Sequence, residues 1–410
     1  MNYNPPLFSF DQDRNKCGVM YKTYLLKRRI LFSLASNGEM TVAELARELN
    51  VSSPTVSKLI GELVLEGYIR DMGKIETAGG RRPSTYGLVS DAGYFMGVEI
   101  GEDSLSIGLI DLNKTPVTAR KQIPFSLQNN LNTLNALAAK IDEYIKESGF
   151  DKSRVLGMGV ILRGRVDSSS GYSYNVFNFD DRPLSQVIQQ KTGIPTIVEN
   201  DTRAMAYAEY MNGDASGAQN ALFVNICKGV GVGIVIGGKL YYGKSGFAGE
   251  FGHIPFFDND TICHCGKKGC LETEASGYAL ENNFNHRLSQ GASSILSDKY
   301  KSGEPVTMLD IIEAAKSDDV LSIDLITELG EKLGRGIGVL INLLNPELVV
   351  IGGTMAQVGD YLMLPIRTAL NKYSLSLVNK DSSLRLSTLG DAAGVLGAAL
   401  LTRNRILEIS

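Results

Sequence analysis

The chain has 410 residues, 43% hydrophobic and 21% charged, with a formal net charge of −4. A chain of that length buries a large core and divides into two or three domains. It holds no run of about 18 apolar residues, and its start lacks the basic and apolar regions of a secretory leader, so a cytoplasmic protein with no membrane span is expected.

Charge is uneven along the chain. Residues 1–90 hold 12 Lys and Arg against 9 Asp and Glu, which leaves −7 on the remainder. A polyanionic partner therefore suits the head and not the body.

Residues 1–15 read as irregular. A first helix is predicted over about 16–36, with Leu26, Ile30 and Leu34 on one face. Thr41-Val-Ala-Glu44 is a capping box, and the helix behind it buries Val42, Leu45, Ala46 and Leu49. Asn50, Val51 and Ser52 form a short turn. Ser53 suits the N-cap of a third helix and Pro54 its first helical position. That helix buries Val56, Leu59, Ile60, Leu63 and Val64, spaced i, i+3, i+4, i+7, i+8, and Gly67 ends it. Tyr68-Ile69-Arg70, a polar turn, Gly79-Gly80-Arg81-Arg82-Pro83 and Tyr86-Gly87-Leu88 then read as a two-stranded wing.

Three helices and a basic hairpin in this order predict a winged helix-turn-helix that binds double-stranded DNA over residues 1–90. The apolar face of the third helix packs inward, which leaves Ser53, Thr55, Ser57 and Lys58 at its N-terminal end to meet base edges. Arg81 and Arg82 at the wing tip suit phosphates or a minor groove. Arg28 and Arg29 on the first helix could add backbone contacts.

Beyond a linker near 89–93, short apolar strands alternate with helices. Strands are expected at Phe95–Ile100, Ser106–Asp111, Val155–Val160, Thr196–Val198, Leu222–Ile226, Gly231–Ile236 and Leu348–Ile351. Helices are expected near 131–148, from about 202, and near 323–344. This alternation means an α/β body.

Cys263-His264-Cys265-Gly-Lys-Lys-Gly-Cys270 places three thiols within eight residues. In a reducing compartment that density reads as metal binding before disulfide. Zn²⁺ takes four tetrahedral N or S ligands, so one is missing, and His253, His264 and His286 are the candidates. His264 sits between two ligands, which favours His253. The set His253, Cys263, Cys265 and Cys270 is closed, so the zinc is expected to be structural.

Three segments carry a resemblance. They are Gly249-Glu250-Phe251-Gly252-His253 with Cys263-x-Cys265-Gly-x-x-Gly-Cys270-Leu-Glu272, then Glu199-Asn200-Asp201-Thr-Arg-Ala204, then Ile351-Gly352-Gly353. The body resembles the ROK family (repressors, open reading frames and kinases), in its repressor branch. The xylose and N-acetylglucosamine repressors also begin with a winged helix-turn-helix. The resemblance implies a two-lobed actin-like body of the sugar kinase and ribonuclease H-like kind. Residues 91–200, completed by 390–410, form the first lobe, and 201–389 form the second with its zinc loop. It further implies a sugar pocket lined by Asn200, Asp201, Glu250, His253 and Glu272, with Asp201 at the general-base position of the kinases. Carboxylates and an amide suit sugar hydroxyls, which donate and accept in pairs.

Family kinases grip ATP with an early Asp-x-Gly-Gly-Thr-Lys hairpin. This chain reads Glu99-Ile100-Gly101-Glu102-Asp103-Ser104 there, and Gly229-Val230-Gly231 where the kinases carry Gly-Thr-Gly. Each carboxylate at about 4 Å from a phosphate charge costs about 1 kcal/mol in water and about 4 kcal/mol at an effective dielectric of about 20. These departures predict a non-catalytic homologue: a DNA-binding regulator, read as a repressor of carbohydrate genes, that senses a sugar or sugar phosphate. The alternative is an active ATP-dependent sugar kinase with a regulatory head. Arg163 and Arg165 could meet a phosphorylated sugar or pair with local acids such as Asp167. A homodimer or homotetramer on a pseudo-palindromic operator is expected, and a sugar-transport protein is a further candidate partner.

Overall fold

The computed structural model describes residues 18–74 and 83–407. It has two compact units, one running to Glu199 and resuming at Ala398, the other spanning Asn200–Gly397.

The first unit opens with α1 (Val19–Asn37), β1 (Met40–Thr41), α2 (Val42–Leu49) and α3 (Ser53–Leu65), followed by β2 (Ile69–Lys74) and β3 (Ser84–Leu88). The Thr41 capping box forms: the Thr41 hydroxyl accepts from the Glu44 amide at 3.2 Å and Glu44 accepts from the Thr41 amide at 2.8 Å. The N-cap of α3 is Ser52, one residue earlier than the sequence suggests, and its hydroxyl accepts from the Thr55 amide. Ser53 is thus the first helical residue. Val56, Leu59, Ile60 and Leu63 are buried as expected, whereas Val64 is 40% exposed because the buried stripe stops one residue short of it. The wing sheet has three strands in the order β1-β3-β2, since Met40 and Thr41 pair with Tyr86 and Thr85. Lys27 of α1 is buried and bridges Glu62 and Glu66 of α3 at 2.8 and 2.6 Å. Burial lowers its pKa, but the two carboxylates outweigh that and raise it.

Then come β4 (Tyr94–Ile100), β5 (Ser104–Asp111), β6 (Pro116–Pro124), α4 (Leu131–Ser148), β7 (Val155–Leu162), the short pair β8 (Val166–Asp167) and β9 (Tyr172–Ser173), α5 (Leu184–Thr192) and β10 (Thr196–Asn200). The main sheet runs β10-β7-β4-β5-β6, antiparallel across β4, β5 and β6 and parallel between β4 and β7. Met96, Val98, Leu105 and Ile107 pack with Leu137 and Ile141 of α4 in one buried cluster. Each such side chain contributes roughly 1.5–3 kcal/mol.

The second unit contains α6 (Asp201–Asn212), β11 (Ala221–Ile226), β12 (Val230–Ile236), β13 (Lys239–Leu240), α7 (Gly277–Ser289), α8 (Ser297–Lys301), α9 (Met308–Lys316) and α10 (Val320–Leu344). It continues through β14 (Leu348–Gly352), α11 (Asp360–Tyr373), α12 (Ser376–Asp381) and β15 (Ser383–Leu386) to α13 (Ala393–Ile406), which passes back into the first unit. Its sheet, β13-β12-β11-β14-β15, also has five strands, antiparallel across β13, β12 and β11 and parallel from β11 through β14 to β15, so an antiparallel trio followed by a parallel neighbour recurs in both units. This duplication is the actin-like α/β architecture. β11 and β14 are buried along their whole length, as strands covered on both faces must be.

Helices α10 and α11 meet along a stripe without side chains. A Cβ on Gly330 would lie 2.7 Å from Pro365 Cγ, and one on Gly334 2.7 Å from Ala369 Cβ and 2.8 Å from the Ile366 carbonyl oxygen. The backbone oxygen cannot yield by rotamer change. Gly334→Ala is therefore expected to destabilise the chain by about 1–3 kcal/mol through overpacking, read as a lower urea midpoint at unchanged slope.

Candidate functional site

On the head, Ser53, Thr55, Ser57 and Lys58 are all exposed on the N-terminal half of α3. Thr55 is engaged locally, its hydroxyl 2.8 Å from that of Ser52, and Lys58 lies 4.0 Å from Glu62 one turn on. Arg29 is exposed, but Arg28 turns inward and donates to the Ile406 carbonyl at the end of α13, so it is not placed for a phosphate. Arg81 and Arg82 lie outside the described residues.

The cysteine loop is folded by its own backbone. The Cys263 amide donates to the Lys267 carbonyl and the Gly266 amide to the Cys263 carbonyl, both at 2.8 Å. Gly269 has φ 67°, and a Cβ there would lie 2.0 Å from the Phe257 carbonyl oxygen, so only glycine fits. Donor atoms of His253, Cys263, Cys265 and Cys270 all lie within 4.8 Å of one another. Cys263 Sγ is 3.6 Å from His253 Nδ1, and Cys265 Sγ is 3.6 Å from Cys270 Sγ. Ligands at about 2.3 Å from a tetrahedral ion stand about 3.7 Å apart, so the spacing fits a metal.

The thiols need one to ionise together. Burial pushes the Cys270 thiol up to about 12, aided by its bonds to Cys265 and Cys263. Burial raises Cys263 as well. Burial also opposes ionisation of Cys265, but the Lys267 amide and the neighbouring thiols prevail and lower it. His264, the alternative histidine, is mainly exposed and points to Glu272, with Nδ1 3.0 Å from Oε1. His264, His253 and Glu272 form a second cluster of donors that shares His253.

All five sugar-pocket candidates fall in the second unit, on three segments that hydrogen bonds and close packing connect. Asn200 caps α6, with its side-chain oxygen accepting from the Arg203 amide at 3.0 Å, and its amide group donates to Asp201 Oδ1 at 3.0 Å. Glu250 and His253 flank a single 3-10 turn, with His253 Nε2 3.9 Å from Glu250 Oε2. The imidazole thus turns one nitrogen to the thiols and the other to Glu250. Glu272 is buried, and its Oε2 accepts from the Val230 amide at 3.0 Å. Gly231, the next residue, comes so near Thr202 that a Cβ would meet its hydroxyl at 2.9 Å.

Arg203 makes a link that sequence reading missed. It is 3% exposed, donates to the Gly246 carbonyl and stacks 5.6 Å over the Tyr242 ring, tying α6 to the segment that leads to Glu250. Its place in the Asn200-Asp201-Thr-Arg-Ala motif was the available signal.

The two hairpins expected to face phosphates also differ from expectation. In the first unit, Gly101, Glu102 and Asp103 form the β4–β5 turn, and Glu102 is paired with Arg163 at 2.9 Å. Arg165 donates to Asn175, and Asp167 accepts from Ser169 and Ser170, so Asp167 takes neither arginine. In the second unit the β11–β12 turn is Cys227-Lys228-Gly229; Val230 and Gly231 already lie in β12, with Val230 buried. Val230, read as the residue that replaces a hydroxyl, thus stands in the strand and not in the turn. Lys228 extends from this turn to Glu281 at 2.8 Å.

A model of the ROK family matches residues 95–405, and one described as winged helix-turn-helix DNA-binding matches residues 25–70. The chain belongs to the ROK family. The xylose repressor of Caldicellulosiruptor bescii is 29% identical over 387 residues, covering 93% of this chain and 96% of that one. Among solved structures, a ROK family transcriptional regulator, homologue of the Escherichia coli Mlc protein, has 28% identity and a TM-score of 0.77. That match covers 94% of this chain and 97% of the other. A ROK family glucokinase from Streptomyces griseus, solved with glucose and AMPPNP, has 29% identity and a TM-score of 0.68, covering 76% of this chain and all of its own. Among the described residues no helix is long and apolar enough to cross a membrane.

Within this ROK body, Arg203→Met removes a buried donor and leaves the Gly246 carbonyl without it. A loss of about 1–3 kcal/mol is expected, with the 242–249 segment newly cleaved in limited proteolysis while far-ultraviolet dichroism is retained.

Proposed function

We propose that the chain is a sugar-responsive DNA-binding transcription regulator, a repressor of carbohydrate genes that binds its effector without phosphorylating it. The observation that carries this lies in the described part of the head: α3 is capped, packed on α1 and α2, and presents Ser53, Thr55, Ser57 and Lys58 to solvent. Arg81 and Arg82 complete the DNA-binding set. The head, residues 1–90, precedes one lobe at 91–200 with 390–410 and another at 201–389.

Asn200, Asp201, Glu250, His253 and Glu272 bind the sugar or sugar phosphate. Zn²⁺ held by His253, Cys263, Cys265 and Cys270 is structural; when bound it supplies the charge that lets three thiolates coexist. His253 then keeps its proton on Nε2, where it can donate to a sugar hydroxyl. The protein works in the cytoplasm as a homodimer or homotetramer on a pseudo-palindromic operator, with a sugar-transport protein as a second input. Asp201 in its kinase position favours one other reading, an active sugar kinase.

Selection of duplexes from a random library by the full-length protein, followed by anisotropy titration, tests the regulator. D-xylose, D-glucose, N-acetyl-D-glucosamine or one of their phosphates should change operator affinity about fivefold or more. Lys58→Ala should weaken binding and lower the salt slope by about one. Selection of no duplex, or ADP release from ATP with these sugars at an ordinary kinase rate of about 1–100 per second, would sink it. For the metal, mass spectrometry should find one zinc per chain in the wild type and none in Cys265→Ser. Removing zinc should abolish sugar binding before the main unfolding transition is lost.

A further inference from the structure

The C-terminal helix α13 is in contact with the helix that begins at the sugar-pocket candidates and with the first helix of the head. In the second unit, Gly397 of α13 rests on α6. A Cβ at Gly397 would lie 1.9 Å from the Ala204 carbonyl oxygen, so backbone meets backbone with no side chain between. Ala204 stands one turn after Asp201, and Asn200 caps the same helix. The segment leading into α13 is also fastened to the far end of α6. Ser387 bonds the buried Glu209, and Asp214 accepts from the Thr388 amide at 2.9 Å.

In the first unit the same helix ends against the head. Arg403 is 1% exposed. Its guanidinium donates to the Leu112 carbonyl of the lobe at 2.8 Å and to the Ala35 carbonyl of α1 at 3.2 Å. Arg28 of α1 answers by donating to the Ile406 carbonyl of α13. Gly397 and Arg403 are six residues apart on one helix, about 9 Å of helical rise.

We propose that α13 is the element that carries the state of the sugar pocket to the DNA-binding head, with Arg403 as the positioning residue at its joint with α1. A shift of α6 on binding at Asp201 presses on Gly397 without side-chain slack. Packed backbone contacts pass on such a displacement and do not absorb it. The Arg403 fork then moves α1, and Lys27 ties α1 to α3 through Glu62 and Glu66, so the displacement reaches the recognition helix. Arg403 suits the joint because its planar donors reach two carbonyls on different elements at once.

This proposal rests on the regulator reading, and linkage allows a test that uses DNA alone: if the pocket acts on the head, DNA on the head must act on the pocket. The probe is the duplex selected by the full-length protein, and the readout is amide hydrogen exchange by mass spectrometry. In the wild type, the duplex should slow exchange at residues 200–206 and 387–397 about fivefold or more. Arg403→Met should still bind the duplex but lose that response, and Arg403→Lys, with one donor site in place of the fork, should retain part of it. A duplex that binds the wild type and leaves residues 200–206 unchanged overturns the proposal while sparing the regulator reading. An undiminished response in Arg403→Met does the same. Failure of the wild type to select any duplex overturns both. If Arg403→Met does not fold, the wild-type response and Arg403→Lys decide.

Discussion

Glu272 accepts the Val230 amide at 3.0 Å through one oxygen and meets His264 Nδ1 at 3.0 Å through the other. The carboxylate is buried and crowded: a Cβ on Gly229 would lie 2.5 Å from Oε2, and one on Gly252 3.3 Å. A buried acceptor of this kind must keep its donors, since losing one costs about 1–3 kcal/mol. The cysteine loop, the start of β12 and the 3-10 turn of His253 are therefore set by one residue. Val230 is followed by Gly231 against Thr202, and Thr202 follows Asp201, so the same constraint reaches α6. A metal in the loop would act on the pocket through this carboxylate and through His253, without touching a ligand.

If the β4–β5 and β11–β12 turns faced phosphates, their charges would disfavour phosphoryl transfer. Phosphoryl transfer is mainly the stabilisation of charge by preplaced donors and cations. The β4–β5 turn offers Glu102 and Asp103 instead, and Arg163 is already on Glu102. That exposed pair adds at most about 1 kcal/mol of stability. Lys228 on the β11–β12 turn is likewise held by Glu281. On each turn a charged side chain is thus answered by an opposite charge of the protein itself, Glu102 by Arg163 and Lys228 by Glu281.

The sequence displayed those parts of the fold whose periodicity is local. Helices α2 and α3 are legible from their apolar stripes and α2 also from its Thr41–Glu44 cap, while the α3 cap is Ser52 and not the Ser53 that the sequence suggests. β6 was not legible, because eight of its nine residues are not buried and it shows no alternation. β1 is two residues long and exists only through pairing with β3. The cysteine cluster stood out by spacing, but the direction of a side chain did not. Arg28 looked like a phosphate contact and instead bonds the Ile406 carbonyl, 378 residues away. Arg203 and Arg403 are both nearly fully buried, which their residue type alone does not foretell. Long-range capture of backbone carbonyls leaves no local pattern.

Arginine and lysine turned inward also change what the head can offer to DNA. Lys27 is neutralised by Glu62 and Glu66, and Arg28 faces α13, so two of the three consecutive cations Lys27-Arg28-Arg29 are unavailable to phosphates. Among the described residues of the head, Lys22, Arg29, Arg47, Lys58, Arg70 and Lys74 remain exposed, scattered over four elements. If about four of them reach phosphates at once, the affinity of one head falls about a hundredfold between 50 and 200 mM salt. A single head would then bind weakly at cellular ionic strength. Two heads on one duplex turn the second encounter into an intramolecular step and raise avidity about 10²–10⁴-fold when their spacing matches the half-sites. The same arithmetic makes binding sensitive to head spacing. A small change in how α13 holds α1 would be enough to lose the second contact, with no change in the surface of α3 itself.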